Sequence, residues 1–112
     1  MYPSVKLPEQ KHEADKTIIN NYIMYYIIPE KIIKDKKISP NSKLLYAVIS
    51  HESFDYMCDK TNRWFSDLFG VDRKSISRWI GQLDESGYIR RKTKISKDEF
   101  GYINYTRLIV IK

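Results

Sequence analysis

The stretch TNRWFSDLFGVDRKSISRWI, residues 61–80, reads as two short helices around a glycine turn. Thr61 or Asn62 caps the first helix. Phe65 and Leu68 are expected to face inward, with Trp64 and Phe69 on the flanks. Gly70 ends this helix, because glycine takes the left-handed conformation that a tight exit needs, and Val71 plugs the turn. Asp72 caps the second helix. Ile76, Trp79, Ile80 and Leu83 follow at i, i+3, i+4 and i+7, an inward stripe that runs until Gly87 closes it.

Working outward, Ser39-Pro40 starts another helix, since a capping hydroxyl precedes a proline in the first turn. Leu44, Leu45, Val48 and Ile49 give it an apolar face up to about Ser53, with His51 as a surface residue. Tyr22–Ile28 is β-branched and aromatic and is expected to be a strand, stopped by Pro29, with a short helix over Pro29–Lys34. Phe54–Lys60 reads as irregular, with room for a short extended segment. Downstream, Tyr88–Ile95 and Tyr102–Ile111 are two strands joined around Lys97–Gly101. The expected fold class is α+β: a three-helix core, a C-terminal β-hairpin and an extra N-terminal strand. Residues 1–17 are expected to be a flexible arm and 18–112 the folded domain.

Charge is unevenly distributed along this pattern. Between Lys60 and Lys97 ten residues are Lys or Arg and four are Asp or Glu, an excess that equals the net charge of +6 for all 112 residues. The segments on either side are balanced. A local positive field over a helix–turn–helix and a hairpin points to a phosphate backbone as partner.

The helix after Asp72 turns Lys74, Arg78, Gly81 and Glu85 directly away from the stripe, with Arg73, Ser75, Ser77 and Gln82 beside them. Arg, Lys, Ser and Gln are the donors and acceptors that read base edges in a major groove. Arg73, Lys74, Ser75, Ser77, Arg78 and Gln82 are therefore the candidate groove-reading residues. Gly81 would let the helix approach a sugar–phosphate wall closely. An ordinary solvated charged face would look the same in isolation. The helix–turn–helix spacing and the basic hairpin favour the functional reading. In that hairpin, alternation separates Arg90, Lys92 and Lys94 from Ile89, Arg91 and Ile95. Thr61, Asn62, Arg63, Arg90, Lys92, Lys94 and Lys97 are the candidate backbone contacts.

Other chemistries find little support. His12 and His51 are far apart, Cys58 has no histidine at a motif spacing, and four scattered glycines form no phosphate loop. The chain is expected to be no enzyme, with no cofactor, no metal and no small-molecule ligand. One cysteine excludes an internal disulfide and fits a reducing, cytoplasmic compartment. No apolar run approaches the ~20 residues that span a bilayer, and the N-terminus lacks a signal-peptide apolar region.

The run SPNSKLLYAVI (39–49) with TNRWFSDLFGVDRKSISRWIGQLDESGYIRR (61–91) resembles the winged helix-turn-helix domains of phage and plasmid replication-initiation and replisome-organiser proteins. The resemblance covers roughly Tyr22 to Lys112. It rests on the Ser-Pro-capped helix with its Lys-Leu-Leu-Tyr core, the Leu-Phe-Gly-Val turn, and the helix ending Leu83-Asp-Glu-Ser-Gly87-Tyr-Ile-Arg. It implies that Arg73, Lys74, Ser77 and Arg78 read the groove and that Arg90 to Lys97 form the wing. Double-stranded DNA is then the expected partner. A homodimer is expected too, because one such module reads few base pairs. The chain would serve as a small accessory factor or as the DNA-binding piece of something larger. MarR-like and GntR-like transcriptional regulators share this kind of domain. A protein-interaction role for the basic face is a further alternative. Single-strand binding would need exposed aromatics on the sheet. Packing within the hairpin is the simpler expectation for Tyr88, Tyr102 and Tyr105.

Overall fold

The computed structural model of the protein describes residues 25–112. The expected arm at 1–17, and residues 18–24 with the start of the expected N-terminal strand, lie outside the described residues.

Helix starts follow the capping chemistry. Pro29 precedes a single turn, α1 (Glu30–Ile33), standing just outside it rather than at its first position. Ser39 caps α2 (Pro40–His51), its hydroxyl accepting from the Ser42 N–H at 3.2 Å. Thr61 caps α3 (Asn62–Phe69) by accepting from Trp64 N–H, and Asp72 caps α4 (Arg73–Glu85) by accepting from Ser75 N–H at 2.8 Å. Gly70 leaves α3 at φ 70°. At the end of α4, Gly87 (φ 82°) donates to Asp84 O and Tyr88 donates to Leu83 O, both at 3.0 Å, a left-handed exit that turns the chain directly into the sheet.

That sheet has three antiparallel strands in the order β1–β3–β2: β1 (Met57–Cys58), β2 (Ile89–Lys97) and β3 (Ile103–Ile111). β2 and β3 pair over their whole length, from Ile89 opposite Ile111 to Lys97 opposite Ile103. Asp98 shapes the turn between them, its Oδ1 accepting from Phe100 N–H and Tyr102 N–H at 2.9 Å each.

The third strand is not the expected one. Tyr25–Ile28, the described part of the anticipated N-terminal strand, forms no strand, and its Tyr25, Tyr26 and Ile27 are exposed. β1 takes the free edge of β3 instead, Met57 opposite Val110 and Cys58 opposite Ile109. A tight turn delivers it: Phe54 and Met57 exchange backbone hydrogen bonds at 2.8 and 3.0 Å across Asp55 and Tyr56, both left-handed at φ 56° and 66°.

All four stripe residues of α4 are buried, packed with Phe65, Leu45, Ile49, Ile89 and Ile109. The expected faces of the other two helices shift. Leu44 and Leu68 are 50% and 51% exposed. In α2 the buried face is Leu45, Tyr46, Val48 and Ile49, and Leu44 lies on the outer side. In α3, Phe69 takes the inward place beside Phe65 and meets Trp79 edge-on, ring centroids 5.8 Å apart.

Candidate functional site

Helix α4 is held on both flanks, which fixes the face it presents. On one side Gln82 Oε1 accepts from Ser39 N–H at 2.9 Å and from the hydroxyl of fully buried Ser42 at 2.7 Å. On the other, Arg91 of β2 closes on Asp84 at 2.7 Å. Gln82 was an expected groove reader. Its carbonyl oxygen instead joins α4 to the start of α2, because its position lies a quarter-turn from the outward face, over α2.

Between these anchors the outward face carries Lys74, Ser77, Arg78 and Gly81, with Arg73 at the helix start. Arg73, Lys74, Ser77 and Arg78 are exposed. No atom lies within 4 Å of where a side chain at Gly81 would begin. Ser75 is half-buried and belongs partly to the cap: its N–H and hydroxyl both serve Asp72, and Arg78 Nη2 reaches its Oγ at 3.4 Å. The Ser75 N–H, then its hydroxyl, lower the Asp72 pKa below the ordinary carboxylate value.

The hairpin adds a second set. Cross-strand partners share a face, so Arg90, Lys92 and Lys94 stand on one side with Val110, Leu108 and Thr106. Arg91 stands on the other, with Ile89 and Ile109, as the alternation implied. Arg90, Lys92, Lys94 and Lys97 are exposed. At the start of α3, Thr61 is engaged as a cap, Asn62 Oδ1 accepts from Arg107 Nη1 at 2.6 Å, and Arg63 is exposed.

Pairing divides the basic residues. Arg91 is neutralised by Asp84, and Lys60 sits 4.0 Å from Glu52 and 5.0 Å from the centre of the Trp64 ring. Arg63, Arg73, Lys74, Arg78, Arg90, Lys92, Lys94 and Lys97 form no ion pair among the described residues. Alternation in the sequence already set Arg91 apart from Arg90, Lys92 and Lys94, but it gives a residue's side of the sheet and not its partner.

Sequence reading also passed over Arg107. It is half-buried, hydrogen-bonded to Asn62 and, through Nη2 at 2.7 Å, to Lys60 O. Burial, and then nearby Arg91, push its pKa below the usual arginine value. Cys58 is fully buried, and burial raises its thiol pKa. No group of three or more metal-ligating side chains occurs among the described residues, and no helix there is long and apolar enough to cross a membrane. Comparison with family models, curated proteins and solved structures found no match.

Proposed function

We propose that this chain is a sequence-specific double-stranded DNA-binding protein of winged-helix architecture. Helix α4 enters the major groove by its N-terminal half, where Arg78, Lys74, Arg73 and Ser77 meet base edges. The hairpin lies along the flanking backbone, with Arg90, Lys92 and Lys94 on phosphates, and Arg63 reaches the backbone from the start of α3. The observation that carries this reading is the set of exposed cations on α3, α4 and β2 that have no carboxylate partner among the described residues. Unpaired cations concentrated on one segment create a field that attracts a polyanion and lose little by exchanging water for phosphate.

The replication role, in a phage, plasmid or other mobile element, rests on the resemblance of residues 39–91. A transcriptional regulator would use the same groove contacts. Selection of bound sequences from a random duplex library at physiological salt tests the proposal. A sharp motif is expected, and an inverted repeat within it is the signature of a homodimer on paired half-sites. No enrichment would overturn sequence-specific binding.

A further inference from the structure

The proposed duplex contacts use one side of the hairpin and leave the other bare. Ile95 pairs with Tyr105 and Lys97 with Ile103, on the side that carries Ile89 and Ile109 into the core. Near the body this side is packed. Toward the tip it is open, and Tyr105 is 69% exposed. Packing within the hairpin therefore does not account for this ring.

Beneath Tyr105 lies a cleft of about 310 Å³ between β3 and the residues that begin α3, lined by Asp59, Lys60, Asn62, Tyr105 and Arg107 among others. Arg107 holds two of its five N–H donors on neutral oxygens, Asn62 Oδ1 and Lys60 O. No carboxylate pairs with it among the described residues, and its charged neighbour Arg91 repels it. A cation partly withdrawn from water and not paired with a carboxylate is electrostatically incomplete, and an anion would complete it.

A bare phosphate fits this cleft poorly. Asp59 in the same wall repels it, and the Tyr105 ring gives it nothing. A nucleotide uses every group: phosphate toward Arg107 and Lys60, the base face on Tyr105, and an exocyclic amine donating to Asp59. Bases inside a duplex are stacked and cannot reach the ring, whereas those of a single strand can. We propose that this cleft is a binding site for single-stranded nucleic acid, with Tyr105 as its stacking platform and a preference for bases that carry an exocyclic amine. No residue of α4 lines this cleft, and the proposal does not depend on the duplex reading.

Fluorescence anisotropy on the full chain tests this, with labelled oligo(dC) of about 15 nucleotides, near the upper span of such sites. The chain should bind oligo(dC) more tightly than oligo(dT), because thymine has no exocyclic amine. Tyr105→Ala should weaken oligo(dC) binding roughly 5- to 150-fold, the range for losing one stacked base. Tyr105→Phe should retain it, and both variants should bind duplex as the parent does. An oligo(rC) arm separates the two strand types: equal affinity assigns any single strand, and unequal affinity assigns the tighter one. Failure of the parent chain to bind oligo(dC), or unchanged binding by Tyr105→Ala, would overturn the proposal and leave the bare face to a protein partner. Tyr105-dependent oligo(dC) binding without duplex binding would uphold it while removing the duplex reading.

Discussion

Arg91 Nε and Nη2 both donate to Asp84 Oδ2, at 2.8 and 2.7 Å, so the first strand of the hairpin is tied to the helix that precedes it. Arg90, one residue earlier, points to the opposite side and has no such partner among the described residues. Two adjacent arginines of one strand thus have different roles. Arg91→Ala should reduce stability by less than ~1 kcal/mol, since the pair is partly solvated. Arg90→Ala should leave the denaturant midpoint unchanged and weaken duplex binding for all sequences alike. Chemical denaturation and anisotropy on the two variants separate these outcomes.

Gln82 is expected to matter for folding and not for base preference. Gln82→Ala strands the Ser39 N–H and leaves the buried Ser42 hydroxyl only the Trp79 carbonyl to donate to, at 3.4 Å. The expected loss is about 1–3 kcal/mol of unfolding free energy, read by urea denaturation. The selected DNA motif should be the same as for the parent chain. A changed motif with unchanged stability would return Gln82 to the groove.

Gly81 sets helix propensity against surface shape. It occupies the interior of α4, where glycine is worse than alanine by about 0.8–1 kcal/mol, and open space surrounds the position a side chain would take. Gly81→Ala should therefore raise the melting temperature. If the helix approaches a backbone wall as proposed, the same substitution should lower duplex affinity. Higher stability with undiminished affinity would place the wall elsewhere.

Acid should loosen the α4 cap and the link between Asp35 and the sheet. The Asp72 pKa is lowered by its Ser75 contacts. The Asp35 pKa is lowered first by the Tyr88 hydroxyl, which donates to it at 2.6 Å, and then by Lys37 N–H. A depressed carboxylate pKa means that the unfolded chain binds more protons, so stability rises with pH across this range. The contribution is complete above the ordinary value of 3.8 and disappears as pH falls through the lower folded values. Asp72→Asn keeps a capping oxygen and removes the titration. Its stability should fall less steeply than that of the parent below pH 3.8.

How much of this was legible depended on whether a local rule or a distant partner decided the outcome. The α4 stripe was fully readable, because Ile76, Trp79, Ile80 and Leu83 follow the helix period and all four are buried. The caps Ser39, Thr61 and Asp72 and the exit at Gly70 were readable for the same reason: each acts within a turn of its own position. The short extended segment within Phe54–Lys60 is present as β1, but its pairing with β3 was not legible, since two residues show no alternation and the Asp55-Tyr56 turn lacks the glycine or asparagine that usually marks left-handed backbone. Tyr25–Ile28 has the composition of a strand, yet none of it pairs in the sheet. Leu44 and Leu68 were placed inward by helical spacing alone, which gives a face but not its centre. In the candidate site, the positions of the unpaired cations were readable. The engagement of Gln82 with Ser42 and of Arg107 with Asn62 was not, because each joins residues at least 40 apart in the chain.

In the proposed complex, the cations on α4 and β2 that have no ion pair among the described residues engage the phosphates of a duplex. The most direct test is the salt dependence of duplex binding, measured by anisotropy for the parent chain and for Arg90→Ala/Lys92→Ala/Lys94→Ala. If about six phosphates are neutralised, log K should fall against log salt with a slope of roughly −5. The triple variant should be shallower by about three. A parent slope near zero, or a variant slope equal to the parent's, would contradict the account.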